Sequence, residues 1–409
     1  MASQPDLAAS PFKLLSCLIA LLSGASIGPE AFLSTVGCAL GSLSAKSLRL
    51  SSAERKCMIL SGIAGALGVI FPSPFIGILC VVELSIVTSR DHCIFSFEES
   101  SDRPCVPLQE NNIIDGTMQK RTEAGYHNFM EQITLMGVTA SVAFVTVTSL
   151  NELRPSLVAD IGSFDRAEVD HTLQIYSQVA YSALLGCLCG VVGSLYLILH
   201  GLFRNIAQRA SKRLLHRYGM QKFWLVTLMF PLFSGVIYGS IAVAYPLTLG
   251  SGHEFIGYLL SLWKQNASAK FIQNGPDEVL TANLLLISGL LKLLTTATCL
   301  GFGMFGGQII PLVVAGVYLG FASAFYVPLL SVPLSVACCS VGIVGSFVPI
   351  PFTLVVSVTT SRLADVSAVP VFVSVLCAFS TNAGLGAVVE IAKRKSQVVG
   401  HNDPSERNA

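Results

Sequence analysis

The residues best placed to do chemistry are Gly28-Pro29-Glu30-Ala31-Phe32, a break in an otherwise apolar run that holds a carboxylate. Residues 12–22 before the break carry one charge, Lys13, and residues 33–43 after it carry none. Neither stretch spans a bilayer alone, because a spanning helix needs about 20 apolar residues. With Gly28-Pro29 as a hinge, they read as two half-helices meeting at membrane depth. Non-helical backbone survives there only where protein buries it or water reaches it. Pro29 suits the first turn of the second half-helix, since its missing N–H is not needed there. The free N–H groups and positive dipole end of that turn attract anions, and Glu30 is itself an anion placed at it. The expectation is that Glu30 and a permeating anion compete for one site. The plainer alternative is a carboxylate capping a helix at the membrane surface. Ionisable groups inside membrane segments are rare and usually functional, which favours the first reading.

The elements around such a break must be membrane helices. Of 409 residues 52% are hydrophobic and only 12% are charged, with a mean hydropathy of +0.67, whereas soluble domains run near 25% charged. The composition therefore reads as an all-α polytopic membrane protein, an integral multi-pass bundle. Which membrane holds it is left open by the sequence. A net charge of +1 says little about partners, and no stretch resembles a nucleic-acid site. The seven His are scattered without ligand spacing, so neither a metal nor a cofactor is expected. Ten of the twelve cysteines (Cys17, Cys38, Cys57, Cys80, Cys187, Cys189, Cys299, Cys338, Cys339 and Cys377) lie in apolar segments. There the residue acts as a small hydrophobe. Cys93 and Cys105 share a polar loop and could pair in an oxidising compartment.

In chain order, residues 1–11 form a polar tail without the basic region of a signal peptide. After the break come Lys46, Arg49, Arg55 and Lys56, then short apolar pieces at 58–71 and 75–87 joined by Pro72-Ser73-Pro74. A polar loop at about 89–130 follows. Apolar spans at 133–150 and 179–202 enclose a polar loop with Glu152, Arg154, Asp160 and Asp165. Arg204, Arg209, Lys212, Arg213, Arg217 and Lys222 then read as a cytosolic loop obeying the positive-inside rule, with Lys393-Arg394-Lys395 on the same side. Further apolar segments cover 223–247, 280–300, 309–327, 332–348, 352–358 and 369–379. The break at Gly250-Ser251-Gly252-His253-Glu254 reads as a loop or helix start, with His253 and Glu254 in a solvated cap.

Two distant stretches repeat each other. Gly28, Gly37 and Gly41 recur as Gly307, Gly316 and Gly320 at one constant offset. Gly65, Gly68, Pro72, Pro74 and Phe75 recur as Gly342, Gly345, Pro349, Pro351 and Phe352, at an offset two residues shorter. Matched Gly/Pro-interrupted segments in two halves point to a transport site at the repeat interface, although small residues also recur where helices pack closely. The repeat makes Gly303-Met304-Phe305-Gly306-Gly307-Gln308-Ile309-Ile310-Pro311 a second half-helix start aimed at the same point. Two converging positive ends favour an anion over a cation.

At these residues the chain resembles the CLC family of chloride channels and proton-coupled chloride transporters. The family's Gly-Arg/Lys-Glu-Gly-Pro motif is matched by Gly28-Pro29-Glu30-Ala31-Phe32, and its later glycines fall on Gly37 and Gly41. Its Gly-x-Phe-x-Pro motif is matched by Gly307-Gln308-Ile309-Ile310-Pro311. The resemblance covers most of residues 12–395 and implies a bundle of short, tilted and broken helices in inverted repeats. The first repeat would run over about 12–202 and the second over about 223–395, with a polar tail at 396–409. By the same resemblance Glu30 is the gating glutamate. Gly28, Ala31, Phe32, Gln308, Ile309 and Ile310 would then line the anion site, with Ile309 offering a backbone N–H in place of the usual Phe. Gly37, Gly41, Gly307 and Pro311 would be structural. The family's homodimers imply a second copy as partner, besides chloride or another small anion and membrane lipids.

The departures shape the functional expectation. Family members carry earlier helices with a Gly-Ser-Gly-Ile-Pro turn whose Ser hydroxyl binds the anion, and this chain starts too late to contain it. The sequence therefore reads either as a shortened chain or as one whose site is built differently. The transporters' inner proton glutamate falls on Leu84, just after Glu83, and the anion-binding Tyr falls on Gly386. Leu84 cannot carry a proton, so channel-like anion conduction is expected unless Glu83 provides a proton path. Chloride/proton exchange, transport of another anion such as fluoride or nitrate, and a non-conducting partner subunit are the alternatives. No nucleophile–base pair or phosphate loop stands out, so enzymatic activity is not expected.

Overall fold

The computed structural model describes residues 10–71, 73–91, 136, 138, 139, 141, 142, 171–218, 223–265, 281–327, 330–360 and 367–401. The 92–130 loop, Cys93, Cys105, most of the 133–150 span, the polar loop after it, Lys222 and the ends of both tails lie outside the described residues. The chain falls into two compact units, Met1–Ser10 with Leu33–Pro155 and Pro11–Phe32 with Ser156–Ala409. Every described element is helical or irregular, and the breaks fall where Gly and Pro interrupt the apolar runs.

The first unit holds α2 (Glu30–Ser47) from Leu33 onward, then α3 (Ser52–Ile70) and α4 (Pro74–Asp91), while the first turn of α2 up to Phe32 belongs to the second unit. A capping box starts α3: the Ser51 hydroxyl accepts from the Glu54 N–H at 3.4 Å, and the Glu54 carboxylate accepts from the Ser51 N–H at 2.8 Å. Each tie satisfies a main-chain donor that a helix start leaves orphaned. Gly37 and Gly41 let α2 lie against α3 backbone to backbone, since a Cβ there would strike the carbonyls of Gly62 and Met58.

The second unit holds α1 (Ser10–Leu22), α5 (His171–Tyr218), α6 (Phe223–Ala244), a 3-10 turn at Pro246–Thr248 and α7 (His253–Gln265). It continues with α8 (Ala282–Gly301), α9 (Ile309–Tyr326), α10 (Val332–Gly345), α11 (Pro351–Thr360) and α12 (Ala368–His401). Its core forms around α9, which packs between α8 and α10 and buries Val314, Val317 and Tyr318 completely. Phe321 of α9 packs with Leu259 and Leu260 of α7 and Leu285 of α8. The long α5 packs against α12, α10 and α8.

The repeat read from the sequence has a structural counterpart. A Cβ on Gly316 or Gly320 of α9 would strike the α10 backbone at Cys339 and Ser335. These are the positions that the shorter repeat offset assigns to Gly62 and Met58 of α3. The pair α9–α10 thus repeats the packing of α2–α3, one inside each unit. Five helical stretches among the described residues are long and apolar enough to cross a membrane: Ser177–Arg217, Thr227–Ala244, Ala282–Gly301, Ile309–Tyr326 and Ala368–Val389.

One expectation needs correcting. The basic run from Arg204 to Arg217 is not a loop, because α5 continues through it to Tyr218. Arg, Lys, Ala, Gln and Leu are good helix formers, and no Gly or Pro interrupts the sequence between Gly201 and Gly219. In the same way α12 runs past the apolar stretch at 369–379 to His401.

Candidate anion site

Two loops meet in the second unit, residues 23–29 before α2 and residues 302–308 before α9. The first turns at Gly24, whose φ of +75° is a left-handed conformation that suits glycine, and the second turns at Gly303, with φ of +93°. Where they meet, Gly28 and Gly307 form an isolated antiparallel bridge, each N–H donating to the other's carbonyl at 2.8 Å. Behind it, Ala25 and Ile27 pack with Tyr238 of α6 and Cys299 of α8. The Tyr238 hydroxyl donates to the Ser23 carbonyl at 2.8 Å, which ties the start of the loop to α6.

Glu30 follows the bridge and is 4% exposed. A buried carboxylate needs compensating donors, and Glu30 takes one from the start of α9, where its Oε1 accepts from the Ile310 N–H. Its other oxygen, Oε2, lies against Gly28 and Gly307, where a Cβ on either glycine would overlap the carboxyl group. Two helices therefore begin at this point, α2 at Glu30 and α9 at Ile309, and each helix start carries roughly half a positive charge. The Glu30 carboxylate is the negative group that sits at these positive ends.

Gln308 occupies the N-cap position of α9 but makes no side-chain capping bond there. Its Oε1 instead accepts from the Tyr196 hydroxyl at 3.0 Å. Tyr196 is 1% exposed, and its ring stacks on Phe347 and His200.

The sequence-derived residues divide clearly. Gly28, Glu30, Gly307 and Ile310 come together, with the Glu30 carboxylate accepting from the Ile310 N–H. Ile309 is half-buried at the start of α9 and Pro311 is buried behind it, while Ala31 and Phe32 sit half-buried in the first turn of α2. Gly37 and Gly41 belong to the other unit, where they seat α2 on α3. Glu83, half-buried on α4, and the exposed Leu84 belong to that unit as well. Gly386 is exposed on α12. Reading the sequence overlooked Tyr196 and the fully buried Lys292 of α8. The signal for Lys292 was there, a lone charge inside an apolar span.

Comparison with known proteins agrees with this architecture. The family model for the voltage gated chloride channel matches residues 2–94 and 122–383. Among solved structures, a slow cyanobacterial Cl-/H+ antiporter matches with a TM-score of 0.62 and 18% identity, over 92% of this chain and 73% of the other. A CLC-type fluoride/proton antiporter matches with a TM-score of 0.53 and 18% identity, over 91% and 74%. A search of curated protein sequences finds no match. The matched residues take in both loops that meet at the Gly28–Gly307 bridge, and this chain belongs to the voltage gated chloride channel family, a family of multi-pass membrane proteins that transport anions.

Proposed function

We propose that this protein conducts small anions, chloride foremost, along a path plugged by the Glu30 carboxylate, without coupling to protons. The observation that carries this reading is the buried Glu30 carboxylate on the Ile310 N–H at the start of α9. A helix start is a natural anion site, so an anion that displaces this carboxylate inherits its donor. Protonation of Glu30 or rotation of its side chain frees the site, which makes Glu30 a gate. Ala31, Phe32, Gln308 and Ile309 flank it, and the hydrophobic Leu84 supports uncoupled conduction.

Purified protein in liposomes tests this reading. Chloride flux is expected with and without a pH gradient, and chloride-driven uphill proton movement would refute uncoupled conduction. Glu30→Gln is expected to change flux and abolish its pH dependence; unaltered flux would remove Glu30 as the gate.

A second reading is anion/proton exchange. It is favoured by the two fold neighbours, named a Cl-/H+ and a fluoride/proton antiporter, with Glu83 as the proton-carrying group. The pH-gradient arm separates the two readings, and competition among chloride, fluoride and nitrate ranks the anions. Absence of flux by the pure protein would favour a non-conducting partner subunit. A homodimer is the assembly we propose; mass measurement in detergent tests it. The apolar row Leu184, Leu188, Val191, Leu195, Ile198 and Leu202 is exposed on α5 and available to lipid or a second copy.

A further inference from the structure

Lys292 lies in the middle of α8 with no solvent exposure, and no carboxylate among the described residues pairs with it. An isolated buried ammonium costs several kcal/mol unless its donors are satisfied. Here main-chain carbonyls satisfy them. Nζ donates to Thr248 at 2.9 Å, to Leu249 at 3.4 Å and to Gly250, so three successive carbonyls converge on an ammonium with three donors.

The segment held this way holds another in turn. The Gly250 N–H donates to the Gly24 carbonyl at 2.9 Å, which ties residues 248–250 to the loop carrying Glu30. A second tie leaves from the next turn of α8. Thr296 gives its hydroxyl proton to the Lys292 carbonyl at 2.8 Å. The Ser26 hydroxyl, 3.0 Å from Thr296 Oγ1, must then be the donor of that pair. Ser26 and Thr296 are both fully buried. One turn of α8 thus grips the loop at Gly24 and at Ser26, and two residues later the loop reaches the Gly28–Gly307 bridge.

We propose that the Lys292–Thr296 turn is the positioning element of the gate: it fixes residues 24–28 so that the Glu30 carboxylate falls on the Ile310 N–H. The inference rests on the reading of Glu30 as the gate. The choice of lysine follows from the geometry. An ammonium can donate to three carbonyls around it, a carboxamide offers two coplanar donors and a thioether offers none. Lys292 touches no anion in this scheme and acts only through the loop.

The test is chloride flux from liposomes as a function of chloride concentration, for Lys292→Met and Lys292→Arg in both the Glu30 and the Glu30→Gln backgrounds. With Glu30 present, K292M is expected to shift apparent chloride affinity about tenfold, the scale of coupling within one hydrogen-bond network. K292R is expected to restore most of that shift, and in the E30Q background K292M is expected to change little. A merely structural lysine would lower maximal flux equally in both backgrounds, and equal effects would overturn the proposal. So would a K292M protein with wild-type concentration dependence. If K292M is not recovered folded, Thr296→Val in the same two backgrounds is read instead: dependence on Glu30 supports the proposal, and equal effects overturn it. If E30Q alone behaves as wild type, the gate reading itself fails and this inference falls with it. That result is read from the single variant, so the two failures are distinguishable.

Discussion

Gly28 and Gly307 donate to each other's carbonyls in both directions, at 2.8 Å each way, and they are also the residues that the internal repeat equates. Reciprocal contact between equivalent positions is what a two-fold relation produces. Here it operates between two halves of one chain, locally, at the bridge. Each glycine lies just ahead of a helix start. Only the first half supplies a carboxylate; Ile309 stands at the position that the repeat offset gives to Glu30. The repeat is thus asymmetric in charge at this point, with a carboxylate on one side and an apolar side chain on the other.

Substituting either glycine should dislodge that carboxylate. Neither has a positive φ, so alanine fits the backbone, and the three nearest atoms its Cβ would meet all belong to the Glu30 side chain. Gly28→Ala and Gly307→Ala are expected to lose about 1–3 kcal/mol, as overpacked sites do. Their flux and its pH dependence should move towards those of E30Q. Liposome flux checks this, and wild-type flux from Gly307→Ala would mean that the carboxylate does not rest there.

The repeat also predicts matched stability effects. Gly37→Ala forces α2 off the α3 backbone, and Gly316→Ala forces α9 off α10. Neither contact can yield by a rotamer change, because the opposing atoms are main chain. Both variants should fall at or above the upper end of the ~1–3 kcal/mol cost of overpacking. Gly201→Ala in α5 meets no neighbouring atom within 4 Å and should gain up to about 1 kcal/mol from helix propensity. Thermal unfolding in detergent orders the three.

Much of this was legible because the informative residues break a pattern. Glu30 interrupts an apolar run, and the repeated glycines and prolines mark helix ends and close contacts whatever surrounds them. Lys292 was harder to see: it breaks no helix, and its carbonyl partners lie 42 to 44 residues earlier in the chain. Tyr196 and Gln308 are 112 residues apart, and a tyrosine in an apolar span looks like core until its hydroxyl has a partner. The helix end at Tyr218 is hidden for a different reason: a run of charge resembles a loop, although charge alone does not end a helix and a breaker does.

The start of α3 makes an acid-side prediction. Ser51 and Glu54 stand at its charged end, ahead of the apolar stretch. Hydrogen bonds from the Ser51 hydroxyl and main-chain N–H hold the Glu54 carboxyl below the usual carboxylate range. A carboxyl depressed on folding contributes stability above its unfolded pKa, and that contribution is lost as pH falls through its folded pKa. Helix stability should therefore weaken below the ordinary glutamate range near ~4.3. Glu54→Gln should flatten that loss, and Ser51→Ala should cost about 1 kcal/mol at neutral pH. Unfolding measured against pH checks all three; an unchanged acid limb in E54Q would remove the capping box as its source.

Tyr196→Phe isolates one hydrogen bond beside the gate. The ring keeps its stacking on Phe347 and His200, so only the bond to Gln308 Oε1 is lost. That should cost about 0.5–1.5 kcal/mol of stability. The functional effect is expected to be larger, because Gln308 then has no partner holding it away from the N-cap position it occupies. Its carboxamide can turn inward and accept from the Ile310 N–H that serves the Glu30 carboxylate and, on the proposed mechanism, the anion. Y196F should therefore weaken apparent chloride affinity, and adding Gln308→Ala should return the affinity to that of Gln308→Ala alone, since the competing oxygen is gone. Chloride-dependent flux of the two single variants and the double variant decides it. Unchanged affinity in Y196F would mean that the hydroxyl only fills space, and failure of the double variant to match the Gln308→Ala value would mean that it acts by some route other than Gln308.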